Sequence, residues 1–295
     1  DDYINTFTSS VIKMFLAVAA TFAAVLAIFP SGAISILAPG FKDETKEMAI
    51  VFLRIVSLTI LFRTISSILH SYLNAKKCFI PGTFMGVILD VFIIGCIFLG
   101  KRTGWDYWLP IGAVLGTLFQ MVFLYPFNRK QGLRLKIDAP FFSEDIKKLL
   151  LMIIPAAMAA GVLQITALVN KALASNIVEG GVTMLNYSNK ISFFAENIMV
   201  SSVATVLYPS MTEHYITGNM ESFSEDIRTA INKLIAFLIP AAGGLAVLSY
   251  EIIDILYGHG AFTDENVKTT SILMALSVIG IIGIGIQTLL TRALF

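Results

Sequence analysis

The chain has 295 residues, 21 basic and 20 acidic, for a net charge of +1. Hydrophobic residues make up 56% and charged residues 14%, against about 45–50% and 25% in a soluble domain, and mean hydropathy is +0.80. These values exclude a disordered chain, a basic nucleic-acid binder and an ordinary soluble enzyme, and leave a protein whose solvent is mostly lipid.

A helix needs about 17–25 apolar residues to cross a bilayer. Eight stretches meet this: 11–30, 48–73, 81–99, 108–127, 149–173, 183–210, 231–256 and 268–295, called spans A to H. The expected fold is an all-α, multi-pass membrane protein with about eight transmembrane helices. The start of the chain lacks the charged n-region, short apolar core and small-residue cleavage site of a signal peptide. Cys78 and Cys96 are separated by about 18 helical residues, roughly 27 Å, too far for a disulfide.

Loop charges set the orientation, because Lys and Arg are retained on the cytoplasmic side. One face carries Lys13, Lys76, Lys77, Arg129, Lys130, Arg134, Lys136, Lys147, Lys148, Arg228, Lys233 and Arg292. The other carries Lys42, Lys46, Lys101, Arg102, Lys171 and Lys268. The excess puts the start and end of the chain on the cytoplasmic side.

In span B, Arg63, Ser67, His70 and Asn74 fall on one helical face, with Arg54 nearer the outer end. Asp90 sits in the middle of C, where an Arg63–Asp90 ion pair is the structural alternative to a cavity role. In span D, Gly112 and Gly116 form a GxxxG spacing, and Gly82 and Gly86 another at the start of C; both read as close helix packing. The D–E connection, Asn128–Lys148, is the longest basic segment, with Ser143 before Glu144 and Asp145 as a helix start. It reads as a surface element or an anchor on anionic lipid, and as a boundary between residues 1–137 and 138–295. In span E, Gln164, Lys171 and Ser175 align, and Pro155 is expected to bend the helix.

Span F carries the clearest polar signal. Thr183, Asn186, Lys190, Asn197 and Ser201 share one face, flanked by Asn189 and Glu196. An ionisable group in hydrocarbon costs at least about 2.5–3.5 kcal/mol, so it faces a cavity or a partner. Helix–helix hydrogen bonding is the structural reading of this stripe, and a hydrated substrate cavity the functional one. The interior cations Arg54, Arg63 and Lys190 exceed the acids Asp90 and Glu196, which suits an anionic ligand.

An internal repeat links the two ends. Ile34, Ile36 and Leu37 align with Ile253, Ile255 and Leu256, and Phe41, Asp43 and Glu44 with Phe262, Asp264 and Glu265 two residues out of step. The copies are six spans apart and therefore share an orientation, as in transporters built from parallel six-helix repeats. On that reading the first copy lacks its opening two helices and the second its closing two, and the chain is a fragment. Gly280–Gly285 matches a nucleotide fingerprint only in letters, inside an apolar helix. No HExxH, CxxC, GxSxG or Walker motif occurs.

Three stretches resemble the MurJ (MviN) family of lipid II flippases, within the multidrug/oligosaccharidyl-lipid/polysaccharide exporter superfamily. They are Leu73–Gly82; Gln164–Asn170 with Ala174-Ser175, running through Gly181–Lys190 to Thr205–Pro209; and Leu256-Tyr-Gly-His-Gly-Ala-Phe262. The resemblance implies helices three to ten of fourteen: residues 1–137 as the last four helices of an N-terminal lobe and 138–295 as the first four of a C-terminal lobe. It implies a non-enzymatic flippase in the bacterial cytoplasmic membrane that moves an undecaprenyl-diphosphate-linked peptidoglycan precursor by alternating access. Lys190 stands where the family has a cavity arginine, Asn189 where an acid is common, Ala195 where Pro is common and Asp90 where Asn is frequent. The candidate substrate-binding residues are Lys190, Arg63, Asn186, Asn197, Asn189, Arg54, Asp90 and Gln164.

The expected partners are lipid II or a similar polyprenyl-diphosphate lipid and membrane lipids, with no nucleic acid, in a monomer. No metal or cofactor is expected; a coupling ion or the membrane potential stays open. The alternatives are a flippase for another polyprenyl-linked oligosaccharide, a MATE-like drug exporter, a membrane-embedded prenyl-phosphate enzyme and a structural scaffold. Cavity cations argue against a cationic-drug exporter, the lack of acidic metal motifs at a membrane edge against the enzyme, and interior charge against the scaffold.

Overall fold

A computed structural model describes residues 2–294, excluding the side chains of residues 163, 199–213 and 292–294. Ser201, residues 205–209 and Arg292, singled out above, fall outside the described side chains.

The order is α1 (Asp2–Ile28), α2 (Pro30–Leu37), α3 (Asp43–Val56), α4 (Thr59–Ala75), α5 (Ile80–Thr83), α6 (Met85–Thr103), α7 (Trp108–Lys130), α8 (Glu144–Ile177), α9 (Gly181–Ile216), α10 (Met220–Val247), α11 (Ser249–Tyr257) and α12 (Asp264–Leu294). The described residues contain no strand. Six helices are long and apolar enough to cross a membrane, and the pair α3–α4 makes a seventh if it counts as one span. The eighth expected span, F, is the continuous helix α9. This is a multi-pass helical membrane protein. Helix α8 continues through Pro155 without interruption.

Span B departs from a single straight helix: α3 and α4 meet at 40°. The cause is local. Ser57 Oγ donates to the Arg54 carbonyl and Thr59 Oγ1 to the Val56 carbonyl, both at 2.7 Å. The next amides bond three residues back instead of four: Leu58 to Ile55, Ile60 to Ser57 and Leu61 to Leu58. Hydroxyls that compete for helix carbonyls bend helices in this way.

The chain separates into two compact units, residues 1–176 and 177–295. In the first, α7 packs on α4 and α6. A Cβ on Gly112 would lie 2.8 Å from the Cys96 Cβ, and one on Gly116 2.8 Å from the Leu89 Cδ1, so both glycines are needed for the close α6–α7 approach. A Cβ on Gly82 would fall closer still to the His70 ring, whereas one on Gly86 would meet open space. Leu69, Leu73, Leu124 and Leu133 form the buried centre. Both cysteines are free.

In the second unit α9, α10, α11 and α12 enclose Leu234, Leu238, Ile253, Met274, Val278 and Ile281. Tyr187 of α9 stacks on Tyr257 of α11, with ring centres 4.0 Å apart and planes 3° from parallel; Phe262 lies 5.6 Å from Tyr187.

Both copies of the repeat fold alike. A long helix ends, a short one follows (α2 or α11), the chain turns, and a helix starts on Asp43 or Asp264 with Glu44 or Glu265 in its first turn. Acids there complement the positive end of the helix dipole.

The stretch between α7 and α8 is strapped to the start of α1. Asn5, Ser9 and Lys13 are four residues apart and share a face. Asn5 Nδ2 donates to the Gly132 carbonyl at 3.2 Å and its Oδ1 accepts from the Arg134 amide at 3.1 Å. Ser9 Oγ accepts from the Lys136 amide at 2.9 Å. Lys13 Nζ donates to the Ala139 carbonyl at 2.8 Å and to the Ile137 carbonyl. Lys136 pairs with Asp2, and the Tyr3 hydroxyl donates to Asp145. These groups satisfy an extended backbone that has no neighbouring strand.

Candidate functional site

In the first unit a cleft of about 550 Å³ opens between α1, α4 and the start of α8. Val11, Phe15, Ile60, Ile68, Leu149 and Ile153 give it apolar walls, and α4 adds Arg63, Thr64, Ser67 and Ser71. Two of these hydroxyls are engaged: Thr64 donates to the Ile60 carbonyl at 2.7 Å and Ser71 to the Ser67 carbonyl at 2.9 Å. Each oxygen keeps acceptor capacity.

Arg63 lies near the middle of the bent α3–α4 pair. Arg63 and Asp90 form no ion pair; Asp90 is exposed on α6. The guanidinium therefore stands in an apolar-walled cleft without a carboxylate partner among the described residues. Arg63 is exposed in this open cleft, and a cation beside apolar walls favours an anion with an apolar body, the charge meeting the guanidinium and the apolar part the walls.

The other span B candidates lie elsewhere. Arg54 Nε donates to the Ala27 carbonyl at 3.2 Å, where the end of α1 leaves carbonyls without helical partners. His70 turns to α5, against Gly82, and pairs with Asn74 at 3.3 Å. Four-residue spacing predicts a common face, but the approach of α5 decides which members reach the cleft.

In the second unit the polar stripe of α9 is distinct from its packing face. Gly181, Met184, Ser188, Ser192 and Ala195 are buried, whereas Thr183, Asn189, Lys190 and Asn197 are exposed and Asn186 is half-buried. At about 100° per residue the Thr183–Asn186–Lys190–Asn197 stripe lies roughly 180° from the buried face. The unit thus packs without the stripe. Lys190 forms no ion pair with a described residue. Asn197 Nδ2 donates to the Phe193 carbonyl at 2.8 Å. Glu196 is half-buried at the edge of the stripe.

Gln164 is exposed on α8. Ser175, aligned with it in sequence, is buried and accepts from the Gly40 amide at 3.2 Å, tying the end of α8 to the α2–α3 turn. Lys171 is exposed. Among the described residues no cluster of three His, Cys, Asp or Glu side chains could hold a metal.

A family model described as "Lipid II flippase MurJ" matches residues 2–295. The chain belongs to the MurJ family. It is 27% identical over 280 residues to the probable lipid II flippase MurJ of Rickettsia prowazekii, covering 94% of this chain and 55% of that protein. The Thermotoga maritima relative of the same name is 27% identical over 289 residues, covering 97% and 57%. The chain thus spans a little over half the length of these relatives. A solved structure described as lipid II flippase MurJ in an inward closed conformation superposes with a TM-score of 0.86 at 25% identity, covering 99% of this chain and 61% of that one. MurJ membership agrees with the fold read from spans and repeat, and places the chain in the bacterial cytoplasmic membrane as a multi-pass protein.

Sequence reasoning missed the Asn5–Ser9–Lys13 ladder. Its signal, polar residues at i, i+4 and i+8 at the start of an apolar helix, is present. The extended strap that it holds has no periodicity to announce it.

Proposed function

We propose that the chain is the central part of a lipid II flippase, with residues 1–137 closing an N-terminal lobe and 138–295 opening a C-terminal one. The observation that carries this reading is Arg63, a cation without a described partner in an apolar-walled membrane cleft. MurJ membership supports the substrate class. The diphosphate of a polyprenyl-linked precursor is the anion that such a cation attracts, and hydroxyls along α4 offer further contacts. Lys190, with Asn186, Asn189 and Asn197, supplies a second polar surface. Arg54, Asp90 and Gln164 complete the candidate set.

The lipid tail stays in the bilayer while the headgroup crosses. No bond is made or broken, so the task is electrostatic: to replace the water around a diphosphate with fixed cations and dipoles. A lysine in place of an arginine at position 190 keeps the charge and loses the bidentate fork. A membrane potential assists movement of a net charge, at about 2.3 kcal/mol per charge per 100 mV. The working unit is a monomer.

The test is growth of a flippase-depleted bacterium carrying the intact protein. Lys190→Ala abolishes rescue at unchanged membrane abundance, and Lys190→Arg retains it. Rescue by Lys190→Ala at wild-type growth rate removes the assigned role.

A further inference from the structure

The strap has a second face. Leu133 and Ala139 are buried against the protein, which turns their neighbours outward. Ile137 is 89% exposed and Phe142 73%, with Leu135 and Phe141 also exposed. Arg134 lies among them, and Lys147 and Lys148 follow on the first turns of α8, all three exposed. A recess of about 400 Å³ opens beside them, lined by Phe142, Ser143, Glu144, Lys147 and Leu150.

Neither water nor hydrocarbon suits this surface. Water leaves four large apolar side chains solvated on a segment that its ladder prevents from collapsing. Hydrocarbon cannot accept an extended backbone or these cations. The interface satisfies both: rings and aliphatic groups enter the acyl boundary while ammonium and guanidinium groups stay at phosphate depth. Within residues 129–148 the six cations Arg129, Lys130, Arg134, Lys136, Lys147 and Lys148 face three carboxylates, Asp138, Glu144 and Asp145. Of these, Lys136 is held by Asp2, and Asp145 accepts the Tyr3 hydroxyl. Pairing Lys136 with Asp2 leaves five cations against three carboxylates, so the remaining charge is positive, and loop charges put this segment on the cytoplasmic side, where anionic lipids create a negative surface potential.

We propose that the α7–α8 strap is a docking surface for anionic phospholipid of the cytoplasmic leaflet. Arg134, Lys147 and Lys148 take the headgroup phosphates, and Ile137, Phe141 and Phe142 enter the acyl boundary. The Asn5–Ser9–Lys13 ladder holds the strap in the conformation that presents them.

The test uses Phe142→Trp in nanodiscs containing phosphatidylcholine and phosphatidylglycerol, with bromine carried on the acyl chains of one lipid or the other at equal mole fraction. The tryptophan signal is the difference from the parent protein, which carries Trp105 and Trp108. Quenching per brominated lipid is expected to be about threefold greater for phosphatidylglycerol, because basic residues near the surface attract anionic headgroups. Arg134→Gln, Lys147→Gln and Lys148→Gln together bring the ratio to one. So does about 0.5 M salt on the strap with its three cations intact, where the Debye length falls to about 4 Å. Equal quenching by both lipids overturns the proposal, as does a preference that survives neutralisation or salt. If neither lipid quenches the introduced tryptophan, protein covers the strap, and the proposal is overturned as well.

Discussion

The two copies of the repeat follow the same path and rest on different supports. The first turn, between α2 and α3, places Gly40 against the backbone of Ser175, so close that a Cβ would overlap the Ser175 carbonyl. The second, between α11 and α12, is held by the parallel stack of Tyr257 on Tyr187 and by the left-handed Gly260 at φ 69°. The helices that follow diverge further. Extending the two-residue shift along the chain sets Ser57 and Thr59 opposite Val278 and Gly280, Arg54 opposite Ala275 and Arg63 opposite Ile284. The first copy thus bends and carries cations, whereas α12 is one apolar helix. A shared backbone plan serves both copies, and the chemistry lies where their sequences part.

Substitutions can break or sharpen this comparison. The largest stability effect is expected at Gly40. Gly40→Ala forces the turn away from α8 and costs about 1–3 kcal/mol, the usual penalty for overpacking. Gly32→Ala, inside α2 with open space around it, leaves thermal stability in detergent unchanged or slightly raised. An equal melting temperature for both variants would show that the Gly40 contact carries no energy.

A smaller effect is expected in the second copy. A double-mutant cycle with Tyr187→Leu and Tyr257→Leu should give a coupling of about 0.5–1.5 kcal/mol, the range for aromatic pairs. Additive losses would deny the stack its supporting role.

The smallest effect is geometric. Ser57→Val with Thr59→Gly gives α3–α4 the residues of α12 and should reduce its 40° bend. Straightening two arms of 14 and 17 residues lengthens the end-to-end distance by about 3 Å at 1.5 Å per residue. Spin-label distances between positions 46 and 76 measure it, and an unchanged distance would place the cause of the bend in packing.

These particulars show what is legible in the sequence. The spans and the repeat follow from hydropathy and from the matched Phe-x-Asp-Glu stretches, because membrane helices advertise their length and the turns their residues. Gly112 and Gly116 correctly signal a close helix pair. The bend in span B is harder to read, since a serine and a threonine in a membrane helix bond backbone carbonyls in straight helices too. The shared face of Arg63, Ser67, His70 and Asn74 is only partly realised in the cleft, because α5 draws His70 away. The polar stripe of α9 is legible as far as Asn197, since a face rich in Asn, Thr and Lys has no place among Met184, Ala195 and the apolar core.

The most direct test of the account is headgroup translocation of a fluorescent polyprenyl-diphosphate lipid by the intact protein in proteoliposomes. Arg63→Ala and Lys190→Ala are each expected to slow translocation at least about tenfold, equivalent to about 1.4 kcal/mol, at unchanged folding. Arg63→Lys is expected to retain most of the rate. Wild-type rates in both alanine variants would contradict the claim that these two membrane cations carry the headgroup.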